Sequence, residues 1–141
     1  MFSIKYVSAD DMLFWSTLDK HMSANELKNK IRDKQGYVIF YGEKPIGVMR
    51  YNLFWDNTPF LNLIHLEKSY HGMGFGKKAM TYWEQEMRNK GHETVFTSTQ
   101  SDEQAQHFYR KIGYCDCGCL LLPDEPLEIL FIKKLTCSEG E

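Results

Sequence analysis

Residues 71–77 read His-Gly-Met-Gly-Phe-Gly-Lys, with glycine at 72, 74 and 76 and a second lysine at 78. Glycine lets a backbone bend tightly and approach a ligand with no Cβ in the way. The segment lies between a strand-like run ending at Leu66 and a helix-like run ending near Lys90. The first turn of such a helix offers unpaired N–H groups and the positive end of the dipole, a combination that binds anions, most often phosphate. Lys77 and Lys78 would sit in or beside that turn, where cations cost roughly 0.3–1 kcal/mol unless negative charge is present. The plain alternative is a tight turn with solvated lysines. Two nucleotide patterns fail. A P-loop would need glycine at position 71 and Ser or Thr at 78, where His71 and Lys78 stand. The dinucleotide fingerprint would need glycine at Lys77.

A second segment with chemical content runs from Asp102 to Tyr114, DEQAQHFYRKIGY. It reads as a helix ending at Gly113 and entering a strand, and Phe108 and Ile112 suit a buried face. Other proton-transfer candidates are His65, Glu67 and Asn62, on or next to the strand before the glycine loop; alternation turns His65 away from the side of Ile64 and Leu66. Which of those sides an acceptor would meet stays open, as does a water relay in place of a dedicated base. His107 lies off the face of Tyr109. Phe14, Trp15, Phe54 and Trp55 fit either core or pocket wall. Cys115, Cys117 and Cys119 alternate along one apparent strand and so share a face, about 7 Å apart, too far for an unstrained disulfide. With Cys137 near the end, they read as free thiols of a reducing compartment rather than as a metal site, whose usual CxxC spacing is missing.

The elements that must position these residues follow from periodicity and punctuation. Phe2 to Val7 is a short strand. A helix starts at Ser8 with Asp10 and Asp11 in its first turn and Met12, Trp15 and Leu18 as its apolar stripe. Ser23-Ala24-Asn25-Glu26 is a capping box opening a second helix that ends before Gly36. Strands Tyr37–Tyr41 and Ile46–Trp55 form a hairpin over Gly42-Glu43-Lys44-Pro45, and Asp56-Asn57-Thr58-Pro59 turns into a strand from Phe60 to Leu66. A helix follows the glycine loop, with Ala79, Met80, Trp83 and Met87 inward, and Glu93–Thr99 is a strand. Ser101-Asp102-Glu103-Gln104 resembles a capping box opening a helix to Ile112. Tyr114–Leu122 and Leu127–Lys134 are the last strands. The order β α α β β β α β α β β predicts a mixed α/β fold: a mostly antiparallel twisted sheet of about seven strands with four flanking helices. Residues 1–135 read as one domain and 136–141 as a solvated tail.

Composition sets the outer bounds. The 141 residues carry a net charge of −2, with 43% hydrophobic and 26% charged residues, ordinary globular values. That charge balance speaks against a dominant nucleic-acid-binding face. The longest apolar run, Tyr37 to Tyr41, is far short of the about 20 residues of a membrane span. No signal-peptide pattern follows Met1, so a cytoplasmic location is expected.

The loop HGMGFGKKAM and, about 30 residues later, DEQAQHFYRKIGY together resemble the two signature segments of the GNAT superfamily of N-acetyltransferases. The family's loop, (Gln or Arg)-x-x-Gly-x-(Gly or Ala), falls on His71, Gly74 and Gly76. Its later helix, Asn-x-x-Ala-x-x-(Leu or Phe)-Tyr-x-x-x-Gly-(Phe or Tyr), falls on Asp102, Ala105, Phe108, Tyr109, Gly113 and Tyr114. The resemblance implies acetyl transfer from acetyl-CoA to a primary amine of a small molecule or peptide, with no metal. It implies that the amides of Gly72, Met73, Gly74, Phe75, Gly76 and Lys77 hold the CoA pyrophosphate. It also implies that the backbone of Ile64, His65 and Leu66 pairs with the pantetheine arm, one amide polarising the thioester carbonyl. Tyr109 would protonate the departing thiolate. The acceptor pocket would involve the first two helices and the final hairpin.

Two positions depart from the pattern. His71 replaces Gln or Arg, and either turns its ring to the phosphates as a charge-variable substitute or points to solvent. Asp102 replaces Asn, so when ionised it can only accept hydrogen bonds and either contacts the cofactor in that way or serves the helix start. A CoA-binding regulatory or interaction module without turnover is the competing reading, and a homodimer is left open. The resemblance points to no nucleic-acid or membrane partner.

Overall fold

The computed structural model describes residues 1–135; Cys137 and the expected tail lie outside the described residues. The strands are β1 (Phe2–Tyr6), β2 (Gly36–Tyr41), β3 (Lys44–Phe54), β4 (Thr58–Leu66), β5 (Thr94–Gln100), β6 (Cys115–Leu120) and β7 (Glu128–Lys134). The helices are α1 (Met12–Leu18), α2 (Ala24–Asp33), α3 (Phe75–Asn89) and α4 (Ala105–Lys111). They form a mixed α/β fold with one mostly antiparallel seven-stranded sheet in the order β1-β2-β3-β4-β5-β7-β6. The parallel step is β4–β5, joined through α3 as a parallel pair requires, and its described register is two pairs, Phe60↔Phe96 and Leu61↔Thr97. The expected order of elements therefore holds.

The chain divides into two compact units. The first comprises residues 1–52 and 62–82. Its entry is a 3-10 turn at Ala9–Asp11 rather than regular helix, where Asp11 Oδ2 accepts from the Ser8 amide at 2.9 Å and its hydroxyl at 3.2 Å. Ser23 caps α2 as expected, its Oγ accepting from the Glu26 amide at 3.1 Å, and Lys34 ends the helix at φ 57°. The apolar faces of α1 and α2 meet the sheet in a cluster of Val7, Trp15, Leu27, Val38 and Val48, with Leu18 and Leu63 against it. Within this apolar layer sits a charge. Asp19, directly after α1, has a fully buried carboxylate that accepts from Arg50 Nε at 2.8 Å, Trp15 Nε1 at 3.0 Å and the His21 amide at 3.2 Å. Burial alone would raise this carboxyl; the Arg50 guanidinium, with the Trp15 and His21 donors, outweighs it and holds the group below the usual aspartate range.

The second unit comprises residues 53–61 and 83–135 of the described chain. Trp83, Met87, Val95 and Phe131 are fully buried in it. Glu84 accepts from Tyr114 Oη at 2.8 Å and Lys133 Nζ at 2.9 Å, and the same Nζ donates to the Ile112 carbonyl at 2.8 Å. Three sequence expectations need correction. The turn after β3 begins at Trp55, not Asp56, because Trp55 and Asp56 adopt φ 56° and 67°. The helix near Ser101 starts only at Ala105: Glu103 Oε1 accepts from the Thr99 hydroxyl at 2.7 Å instead of closing a capping box, and the Gln106 side-chain amide donates to the Ser101 and Glu103 carbonyls. The cysteines of β6 do not share a face. A bulge between Asp116 and Gly118 pairs Cys115 with Ile132 but Cys119 with Ile129, and those partners, an odd number of residues apart, point to opposite faces. All three are free, exposed thiols, and burial, together with the Asp116 charge, raises the Cys117 thiol.

Replacing Asp19 by Asn leaves the Arg50 charge beside a neutral amide. The D19N protein is expected to lose about 3 kcal/mol in urea denaturation at pH 7, the low end for a broken buried pair. Because the folded carboxyl is held down, its contribution is whole above the ordinary aspartate range near pH 4 and is lost as pH falls further. The gap between wild type and D19N should therefore narrow in acid.

Candidate functional site

Strand alternation decides what β4 offers on each side. The Glu67 amide donates to the Ile46 carbonyl on β3 at 2.8 Å, and a Cβ built on Gly47 of β3 would lie 3.0 Å from the His65 carbonyl oxygen. The main-chain groups of residues 65 and 67 are thus directed at β3, and those of Ile64 and Leu66 point the opposite way. Of the three residues expected to pair with an extended ligand, Ile64 and Leu66 have the main-chain direction for it and His65 does not. The His65 side chain is exposed, and its Nδ1 lies 3.0 Å from the Leu18 carbonyl at the end of α1. Glu67, the rival base, has its carboxylate 3.9 Å from Lys44 Nζ.

After β4 the chain makes a 3-10 turn at Lys68–Tyr70 and reaches the glycine loop. His71 Nε2 lies 2.8 Å from the Leu66 carbonyl oxygen, which can only accept, so Nε2 carries the proton and ties the loop back to the strand end. Gly72 and Gly74 adopt φ 76° and 83°, conformations that side-chain-bearing residues avoid, and a Cβ on either would meet nothing within 4 Å. The space in front of this backbone is open. The helix begins at Phe75, three residues earlier than a helix directly after the loop-ending Lys77, and its first bond runs from the Lys78 amide to the Gly74 carbonyl at 3.2 Å. The amides of Phe75, Gly76 and Lys77 precede that bond and have no partner within the helix.

The Phe75 side chain is structural. It is buried, with ring centroids of Phe2 and Tyr41 each 5.5 Å away, and it pins the helix start to the sheet. Lys78 Nζ lies over the Phe2 and Phe75 rings at 5.7 and 5.9 Å. Met73 and Lys77 are exposed. Phe14 and Trp15 belong to the core cluster, whereas Phe54 and Trp55 are exposed with their rings 4.4 Å apart.

In the second unit, Tyr109 is 6% exposed, with the Phe131 and Tyr114 rings 5.8 Å away. Burial pushes its phenol up; a Thr97 hydrogen bond opposes this and the Glu103 charge adds to it. A phenol is protonated at neutral pH even at its ordinary value, and the net rise makes this one a weaker acid than a free phenol. Thr97, whose hydroxyl donates to the Leu61 carbonyl at 3.0 Å, carried no motif signal in the sequence, and neither did the Leu18 carbonyl. Asp102 is exposed with no side-chain hydrogen bond described, and His107 is exposed on α4. Among the described residues no group of three or more His, Cys, Asp or Glu could hold a metal ion.

The acetyltransferase (GNAT) family model matches residues 6–114, and the chain belongs to that family. Similar solved structures include a GNAT-family acetyltransferase from Bacillus cereus, at 21% identity and TM-score 0.78, covering 97% of this chain and 99% of that one. The ribosomal-protein-S18-alanine N-acetyltransferase of Escherichia coli aligns at 14% identity and TM-score 0.79, covering 100% and 99%. Naa50 of Arabidopsis thaliana, in complex with the bisubstrate analogue CoA-Ac-MVNAL, aligns at 12% and 0.77, covering 94% and 97%. At these identities the likenesses show the fold. No curated protein matches the sequence.

Valine at position 74 must hold a positive φ, a cost of about 1–3 kcal/mol. It meets no clash in the free protein. Gly74→Val should therefore fold with a lowered Tm and bind acetyl-CoA at least tenfold more weakly by calorimetry; a folded variant with wild-type affinity would show that the ligand does not approach this backbone.

Proposed function

We propose that the protein is an N-acetyltransferase that moves the acetyl group of acetyl-CoA to a primary amine of a small molecule or peptide. The observation that carries this reading is the corner at residues 72–77. Two glycines held at positive φ leave open space in front of three helix-leading amides, in a chain of the GNAT family. Those amides and the positive helix end suit the CoA pyrophosphate, with Lys77 adding charge from the exposed side. The Ile64 and Leu66 main-chain groups suit the pantetheine amides. His71, bonded to the Leu66 carbonyl, fixes the loop rather than reading the phosphates. Asp102 takes no part in this reading.

The chemistry is then fixed by valence. The neutral amine nitrogen forms a C–N bond to the thioester carbonyl carbon, and the carbonyl π pair moves to oxygen, where a main-chain amide can stabilise it. As that pair returns, the C–S bond breaks and sulfur leaves with its electrons. Tyr109 gives its proton to the thiolate and is restored by the proton that the new amide nitrogen sheds. The phenol carries its proton at neutral pH, as this role requires.

Assay of CoA release with tyramine, spermine, an aminoglycoside and short peptides bearing free N-termini tests the reading, with acetyl-CoA binding followed by calorimetry. Binding and turnover of at least one amine are expected. A chain that binds acetyl-CoA yet acetylates no amine in a wide panel would be a CoA-binding module instead. In the active protein Tyr109→Phe should lower kcat by about 10²-fold or more while leaving acetyl-CoA affinity within twofold; a change below threefold would remove Tyr109 from the mechanism.

A further inference from the structure

We propose that the aromatic hairpin tip at Phe54 and Trp55, together with Phe60 and Phe96, binds an N-alkylated ammonium group, with Asp56 as its counter-charge. The inference goes beyond acetyl transfer and does not depend on it. Phe54, Trp55, Phe60 and Phe96 all belong to the second unit. Their rings form one connected group. The Phe54 centroid lies 4.4 Å from that of Trp55, 6.0 Å from Phe60 and 5.9 Å from Phe96. Phe96 in turn lies 6.4 Å from Trp55 and 6.2 Å from Phe60. Phe60 and Phe96 are half-buried, whereas Phe54 is 41% exposed and Trp55 72%.

Trp55 is held there against its backbone preference. The Asn57 amide donates to the Phe54 carbonyl at 3.2 Å and closes the turn between β3 and β4. Its central residues, Trp55 and Asp56, both adopt left-handed φ, 56° and 67°. Asn, Asp and Gly suit such positions, and a bulky aromatic residue at positive φ is an outlier. Core burial does not offset the strain, because most of the indole is in solvent. The turn therefore presents an indole outward beside three phenylalanine rings, where an asparagine would close the same hairpin with less strain.

Electrostatics select the ligand. Aromatic faces attract cations, and indole does so most strongly. Elsewhere the chain supplies such cations itself: Lys5 lies over Phe40, Lys34 over Tyr6, Lys44 over Tyr70 and Arg110 over Phe131, at 5.2 to 5.7 Å. Among the described residues no cation lies over Phe54, Trp55, Phe60 or Phe96. Asp56 is the one charged residue in segment 53–61, so the tip itself carries negative charge. Hydrogen-bond acceptors are few, since Asn57 Oδ1 already accepts from the Thr58 hydroxyl at 2.8 Å. A primary ammonium or a guanidinium would leave several N–H groups unpaired against these rings. An N-alkylated ammonium has few or none to satisfy, and aromatic faces with one carboxylate are what it needs. A free quaternary amine and a methylated lysine side chain share that chemistry.

Titration of 15N-labelled protein tests the site, read on the indole N–H signals. The probes are choline, a short peptide carrying Nε-trimethyllysine, and 3,3-dimethyl-1-butanol, the neutral isostere of choline. Trp15 and Trp83 are buried and serve as internal controls. Choline or the peptide should shift the Trp55 signal saturably and leave the other two in place, with the isostere about fivefold weaker or more. The tighter of the two cations identifies the source. Backbone amides of Phe54, Asn57 and Phe96 follow the same titration in variants. Trp55→Asn suits the left-handed turn and so keeps the fold, and it should weaken cation binding about tenfold or more. Asp56→Asn should weaken the cation about threefold and leave the isostere unchanged. An isostere that binds as tightly as choline would make the tip a plain apolar surface and overturn the proposal. So would the absence of a saturable Trp55 shift with either cation, or wild-type cation affinity in Trp55→Asn.

Discussion

The period-two alternation of β4 is the constraint from which the site derives. Once the Glu67 amide is bonded to Ile46 on β3, every other direction along the strand is set. Leu63 must face the α1–α2 side, where it packs against the core cluster, and His65 must follow it there. Ile64 and Leu66 must turn their main-chain groups away from β3. One hydrogen-bond register thus separates the His65 side chain from the main-chain groups of Ile64 and Leu66 that are turned away from β3. A slip of one residue would exchange them, and the burial of Leu63 is what resists that slip.

The loop completes what the strand begins. His71 donates to the Leu66 carbonyl, Gly72 and Gly74 reverse the chain, and Phe75 is sealed under Phe2 and Tyr41. The aromatic seal holds the start of α3, so its leading amides are positioned before any ligand arrives. Preorganised donors need not be ordered when an anion binds, which is why such corners are effective despite having few charged side chains. In the same unit, the Asp19–Arg50 pair performs an analogous task with charge, anchoring the carbonyl end of α1 against β3.

Much of this was legible in the sequence because the signals are local. The glycines at 72 and 74 mark positive φ, Ser23 and Glu26 mark a helix start, and the alternation of apolar residues marks the seven strands along the chain. What was not legible depends on partners distant in sequence or on a shift of one residue. Trp55 takes a left-handed conformation with no glycine or asparagine to announce it. The bulge at Asp116–Gly118 reverses the facing of Cys119 while the alternating spelling of the cysteines hides it. Ser101–Gln104 has the letters of a capping box, but Thr99 claims the Glu103 carboxylate. The sequence says nothing of the tautomers of His65 and His71; the carbonyls of Leu18 and Leu66 distinguish them.

The central claim is that the amides at the start of α3 hold the anionic part of acetyl-CoA. Titration of 15N-labelled protein with CoA, followed by backbone amide shifts, tests it most directly. The account predicts saturable shifts that are largest at Gly74, Phe75, Gly76 and Lys77, with smaller ones at Ile64 and Leu66. Saturable binding that leaves residues 74–77 unmoved would contradict it.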